Sequence, residues 1–248
     1  MTGAGMRLCK LNTNDDDWQR FFTSNGANKG AAAICDNTKE VKILRLLWNR
    51  KDDRLAINMK NVFELIDERK VTKRSLLQTS ARIYDPLGVI APVVVTVTLL
   101  FQRLWELALE WDGCLPDGIG DEWSDWCSQL SALQEKPNPQ KYAHLNQRSD
   151  DTTVQLHVFG DASAKAYGAV AYLKTGSKRN VTIALLMSKS RVALLKKLTL
   201  PRLELMGALI AARLHRKLIN TLNLSIQAAY LWTDTNIAMH WIKGSAIR

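Results

Sequence analysis

The sequence predicts a mixed α+β / α/β fold, and three observations carry that expectation. From residue 152 onward, three apolar alternating segments are followed by a long stretch of helical period and a fourth apolar segment. Residues 70–134 are mainly helical in pattern. Nearer the N-terminus, an apolar run, a charged turn and a second apolar run read as a hairpin.

Residues 1–60 are expected to hold a small α+β piece. GMRLCKL suits a strand, DDDWQRFF a short helix and NGANKGAAA a loop. VKILRLLW (Val41–Trp48), the NRKDDR turn and LAINM make the hairpin. Asp15, Asp16 and Asp17 fit the start of a helix, where acids complement the dipole. Asp52 and Asp53 fit the turn.

In residues 70–134, Ser75 is expected to start a helix, SLLQTSARIY. Asp85-Pro86-Leu87-Gly88 ends it, because proline and glycine both interrupt helices. Pro92 suits the first turn of a longer helix reaching Trp111, with Leu100, Leu104 and Leu107 on one face. DEWSDWCSQLSAL forms the next helix. Trp105, Trp111, Trp123 and Trp126 are expected in the core rather than free for base stacking. Residues 135–150, polar and containing Pro137 and Pro139, read as a linker.

Residues 151–248 form the last unit. Its strands are expected at Val154–Phe159, Tyr167–Lys174, Val181–Ser188 and Ala228–Thr233. Its helix runs from Pro201 to Leu222, with Leu203, Met206, Leu209, Ile210 and Leu214 at helical spacing. No internal repeat or low-complexity tract interrupts the chain.

Charge separates this unit from the rest. The net charge is +10, and residues 151–248 hold all of the surplus, with 14 Lys and Arg against four Asp and Glu. A polyanion such as nucleic acid is the partner such an asymmetry suggests, although a basic surface also serves solubility. The four cysteines, Cys9, Cys35, Cys114 and Cys127, make no C-x-x-C pair, which argues against zinc and for reduced thiols. There is no signal-peptide pattern, and the greasiest run, Val89–Phe101, is too short to span a bilayer. An intracellular, cytoplasmic chain without a membrane partner is expected.

Of the four acids in the basic unit, Asp151 lies at its linker end, whereas Asp161, Glu204 and Asp234 keep apolar company. Asp161 ends the first strand, Glu204 lies in the first turn of the helix and Asp234 ends the fourth strand. Neighbouring strands with the helix packed on them would bring the three carboxylates together. Such a group repels itself unless a cation neutralises it, and hard oxygen ligands suit Mg²⁺ or Mn²⁺. Each acid also has an ordinary alternative: a turn for Asp161, a helix-start charge for Glu204 and an N-cap for Asp234. His157, His215 and His240 read as ordinary core or surface residues, and His144 lies in the linker.

Several long strings carry a resemblance. VFGDASAKAYGAVAYL, LLMSKSRVALLKKLTLPRLELMGALIAARL and LWTDTNIAMHWI resemble the ribonuclease H region of BEL/Pao-type retrotransposon Pol polyproteins. KRSLLQTSARIYDPLGVIAPVVVTVTLLFQRLWELALEWD is similar to the segment before it, labelled the Pao retrotransposon peptidase family. VKILRLLWN and GMRLCKLNTND resemble the end of a reverse-transcriptase palm.

The resemblance implies that residues 1–69 end a palm, 70–134 form a helical connection, 135–150 link, and 151–248 form a ribonuclease H-like domain. It implies a mixed sheet, its first three strands antiparallel and the strand of Asp234 beside that of Asp161. Asp161 would bridge two Mg²⁺ or Mn²⁺ ions, with Glu204 and Asp234 on the one near the leaving group. The RNA strand of an RNA–DNA hybrid would be cut, and Lys189, Arg191, Lys196, Lys197 and Arg202, before or entering the helix, would contact phosphate. The remainder of the Pol polyprotein is the other implied partner.

Departures shape that expectation. The family's fourth carboxylate would fall after Arg248, so the domain is expected to be C-terminally truncated and weak or inactive as an endonuclease. The alternative is a catalytically inactive remnant that binds nucleic acid or is only structural. The polymerase Tyr-x-Asp-Asp is absent, and no Asp-Thr-Gly or Asp-Ser-Gly supports an aspartic peptidase, since Asn236 follows Asp234-Thr235.

Overall fold

The computed structural model describes residues 13, 15–24, 40–43, 45–49, 54–67, 71–135, 140–141, 153–176, 181–196 and 198–244. The expected strand GMRLCKL, the loop NGANKGAAA, Asp52, Asp53, His144, Asp151, Cys9, Cys35 and Lys197 lie outside these residues.

Helix α1, Asp16–Ser24, starts as its acids suggest. The Asp15 carboxylate accepts from the backbone N–H of Asp17 and Trp18 at 2.9 and 3.1 Å, satisfying donors that the first helical turn leaves unpaired. Strands β1 (Glu40–Ile43), β2 (Leu46–Asn49) and β3 (Arg54–Ile57) then form an antiparallel sheet. VKILRLLW is therefore two strands and not one. Arg45, at φ 69°, takes the left-handed backbone of a tight hairpin turn and pairs Ile43 with Leu46. Two residues of the expected linker, Gln140–Lys141, add a short strand β4 beside β3.

The helical segment comprises α2 (Lys60–Asp67), α3 (Lys73–Ser80), α4 (Ala91–Glu106) and α5 (Asp117–Glu135). Thr72, not Ser75, opens α3. The two residues form a capping box in which the Thr72 hydroxyl accepts from Ser75 N–H and the Ser75 hydroxyl accepts from Thr72 N–H. Val97, Leu100 and Leu104 of α4 meet Ile119, Trp123, Trp126 and Leu130 of α5, both sets at helical spacing. Trp126 donates its indole N–H to the Val93 carbonyl at 2.9 Å. Burial raises the Cys127 thiol to about 11, which leaves it protonated and inert.

Three expectations fail at the end of α4. The helix stops at Glu106 because Ala108 turns to φ 50°, so it never reaches Trp111, and Leu107 is exposed. Trp105 and Trp111 are not core residues either. Their rings flank the buried Lys73, whose Nζ lies 3.8 and 5.1 Å from the ring centroids and donates to the Leu109 carbonyl at 3.2 Å.

The second sheet contains β5 (Thr153–Ala162), β6 (Ala166–Gly176), β7 (Val181–Val192) and β8 (Ala228–Trp232) in the order β7-β6-β5-β8. The first three strands are antiparallel, and β8 joins β5 in parallel, as expected. Helix α6, Leu200–Thr221, crosses one face and buries Leu203, Ile210, Leu214 and Leu218 against Leu156, Val158 and Ala171. Leu209, expected on that stripe, is exposed, and the small residues Gly207 and Ala211 are buried instead. A short α7, Asn236–Lys243, follows β8. On the other face His157 stacks on Tyr230 and Trp232, and Phe159 on Trp232.

The helical segment is anchored to edge strand β7. Ser188 donates its N–H to the Leu87 carbonyl at 2.8 Å and its hydroxyl to the Gly88 carbonyl at 2.6 Å. The Gln102 amide donates to the Ala193 carbonyl at 2.7 Å. The Asp85-Pro86-Leu87-Gly88 break does not end α3, which stops at Ser80 before reaching Tyr84, and is a built turn of its own. The Asp85 carboxylate accepts from Val89 and Ile90 N–H, and Gly88 takes φ 71°. No helix among the described residues is long and apolar enough to cross a membrane.

Candidate metal centre

Three elements set the three acids at one end of the second sheet. Asp161 lies inside β5, paired with Gly168, and the strand continues to Ala162. The turn expected at Asp161 comes later, at Ser163–Lys165, closed by Ser163 N–H donating to the Ala166 carbonyl at 2.7 Å. Ladder pairing fixes the backbone of Asp161, and its carboxylate accepts from Ala162 N–H at 2.6 Å.

Asp234 reaches the same level by register. β8 runs parallel to β5 with Trp232 opposite Phe159, so two residues further on the chains place Asp234 and Asp161 at one edge. Asp234 does not cap α7. The N-cap position is Thr235, and no side chain bonds the helix start there.

Glu204 owes its position to missing side chains. A Cβ on Gly207 would lie 2.8 Å from the Asp161 carbonyl oxygen, and one on Gly160 would lie 3.0 Å from the Gly207 carbonyl oxygen and 3.1 Å from the Ala211 methyl. Glycines on both elements therefore let α6 lie directly on β5, and Glu204, three residues before Gly207, overhangs the strand end. Glu204 is the fifth residue of α6, beyond the first turn where it was expected, so a helix-start charge does not describe it.

Each of the three residues offers a carboxylate oxygen within 4.8 Å of those of the other two. Asp161 and Asp234 are exposed, while Glu204 is half-buried and its Oε2 is buried without a hydrogen-bond partner. Burial raises the Glu204 carboxyl above the ordinary range, and the charges of Asp234 and Asp161 raise it further. The group therefore has oxygen donors, surplus negative charge and one unsatisfied buried atom, which a hard divalent cation such as Mg²⁺ or Mn²⁺ fits.

The basic candidates are scattered. Lys189 and Arg191, expected to precede the helix, lie in β7, because that strand runs four residues further than its apolar pattern. Lys196 lies on the loop before α6 and Arg202 in its first turn, and all four are exposed. Sequence reasoning missed Gly160 and Gly207. Their signal was available: a glycine inside the apolar helical pattern LMGALIAA costs about 1 kcal/mol relative to alanine, and its presence points to close packing.

The family model described as Pao retrotransposon-like RNaseH-like domain matches residues 72–235, a span that includes all three acids and the helical segment. A foamy viral protease-reverse transcriptase dRH, solved in complex with ds DNA, is similar at 13% identity and a TM-score of 0.45. The similarity covers 84% of this chain and 33% of that one, so the chain spans about a third of that protein's length. No curated protein matches.

Proposed function

The chain belongs to the family of Pao retrotransposon-like RNaseH-like domains, and from that premise we propose that it hydrolyses the RNA strand of RNA–DNA hybrids with a divalent metal. The observation that carries this reading is the convergence of Asp161, Glu204 and Asp234 around the unpartnered Glu204 Oε2. Asp161, on a ladder-fixed strand, and Asp234, at the end of its parallel neighbour, are the rigid ligands. Glu204 is held from the helix above by the glycine contact. A divalent ion bound there supplies Lewis-acid polarisation of the phosphate and a more acidic bound water. The chain's own contribution is to hold three carboxylates ready, so that little reorganisation is needed as charge develops.

Lys189, Arg191, Lys196 and Arg202 would contact phosphate on either side of this edge, and selection of the RNA strand would rest on its 2′-hydroxyls. We also take residues 1–69 as the end of a palm, 70–134 as a helical connection and 151–248 as the nuclease unit, joined by 135–150. The remainder of the Pol polyprotein is then the natural neighbour.

Cleavage of an end-labelled RNA–DNA hybrid in Mg²⁺ or Mn²⁺ tests the reading, with Asp161→Asn as the comparison. Cleavage by the parent and a loss on the order of 10²–10³-fold or more in the variant is expected, because one charge-stabilising group is gone. Equal cleavage by both proteins would sink the assignment. Hybrid binding without cleavage by either would reduce the function to nucleic-acid binding.

A further inference from the structure

Helix α6 carries a second stripe that hydrolysis does not use. Beside its buried face, Met206, Leu209, Arg213 and Lys217 run along edge strand β7. Met187, Lys189 and Arg191 of β7 pair with Ala171, Ala169 and Tyr167, the β6 residues that face α6, so their side chains point to the same side. Between the two elements lies a groove of about 260 Å³ with an apolar floor, and no Asp or Glu lines it. Its rim carries Lys189, Arg191, Arg213 and Lys217, all exposed. None of the four has a carboxylate at salt-bridge distance among the described residues. Pro86 of the anchored turn also borders the groove, held there by the Ser188 hydrogen bonds.

We infer that this groove is a second nucleic-acid contact, which takes the sugar–phosphate backbone of one strand by charge and not by sequence. Four unpaired cations in one concavity repel each other, and a polyanion that releases its counterions on binding offsets that repulsion. At a helical rise of about 1.5 Å per residue, Arg213 and Lys217 stand about 14 and 20 Å along α6 from Glu204. That length corresponds to about four to six phosphates at 3.4 Å of axial rise each. Lys189 and Arg191 stand level with the acid end of the sheet, and through Arg213 and Lys217 the groove engages backbone several nucleotides further on, where it sets register, not chemistry. The inference rests on the proposed function only in taking a nucleic acid as the ligand.

The test is binding of a fluorescent RNA–DNA hybrid, followed by anisotropy across a salt series in chelator, so that no cleavage occurs. The proteins are the parent, the double variant Arg213→Gln/Lys217→Gln and Lys189→Gln. Loss of two phosphate contacts should make the slope of log Kobs against log salt shallower by about 1.8, and Lys189→Gln by about 0.9. Affinity should fall alike for hybrids of unrelated sequence. Parent-like slopes in both groove variants, with thermal melting unchanged, would overturn the inference. So would competition by an acidic peptide that depends on Arg213 and Lys217 while hybrid binding does not, because the groove would then serve a protein partner. Cleavage by the parent in Mg²⁺ is read separately, so the nuclease reading can fail without this one.

Discussion

The helical segment and the second sheet spend charge in opposite ways. In the helical segment three cations have partners: Arg74 bonds Asp112 through two nitrogens at 2.7 and 2.9 Å, Arg103 bonds Glu122, and Lys73 sits between two tryptophans. Among the described residues from 153 to 244 there is no ion pair, although lysines and arginines outnumber acids there. The three acids of that region gather at one point and leave a buried carboxylate oxygen unsatisfied. Charge in the first region closes the structure on itself. Charge in the second is held open at a cost in stability, which is the pattern expected where a ligand completes the site.

The sharpest way to break this contrast is Gly207→Val. The new side chain would press on the Asp161 backbone, where even a Cβ lies 2.8 Å from the carbonyl oxygen, and neither element has slack. Overpacking of this kind costs about 1–3 kcal/mol, and it lifts Glu204 from its partners. Thermal melting should drop and hybrid cleavage should be lost. A variant that melts like the parent and still cleaves would show that the close approach does not build the site.

A smaller effect is expected where the two regions meet. Gly88→Ala places an L side chain at φ 71° and drives its Cβ into the Ser188 carbonyl. The left-handed backbone alone costs about 1–2 kcal/mol. Melting should fall, and limited proteolysis should open the 83–90 turn before the sheet. The acid cluster should survive, since none of its residues touches that turn. Unchanged protease sensitivity would mean that the Gln102 contact suffices to hold α4 on β7.

These variants also mark what the sequence made legible. The strand segments of the second sheet follow from apolar alternation and the three candidate acids from lone carboxylates in a basic unit, whereas the mixed sheet with β8 beside β5 follows from the family resemblance of the long strings. The closing of the site follows from none of these. It depends on Gly160 and Gly207, where the informative feature is an absent side chain that periodicity cannot score. Strand ends escape the pattern for a related reason: β5 and β7 continue through Asp161, Lys189 and Arg191 because ladder pairing outweighs the low strand propensity of charged residues. Trp105 and Trp111 depart from the apolar core because they flank a buried cation, Lys73, which nothing in the helical period announces. The turn at Arg45 had no glycine or asparagine to announce it.

The least disruptive test is pH, to which the two regions respond in opposite senses. The hydrogen bond from Arg74 holds the Asp112 carboxyl below its ordinary range, so its contribution is present above the unfolded pKa and lost as pH falls through the folded one. Glu204 is raised, first by burial and then by Asp234 and Asp161. Its contribution is complete below the unfolded glutamate pKa, about 4.3, and is lost as pH rises through the folded value. In chelator, the parent should therefore lose melting temperature on the alkaline side of that window, and Glu204→Gln should remove this decline. Asp112→Asn should instead flatten the acid side. Added Mg²⁺ should restore the parent at neutral pH and leave Glu204→Gln little changed, because the ion favours the ionised carboxylate. An identical pH profile in parent and Glu204→Gln would mean that the three acids do not repel one another, and the contrast between the regions would lose its electrostatic basis.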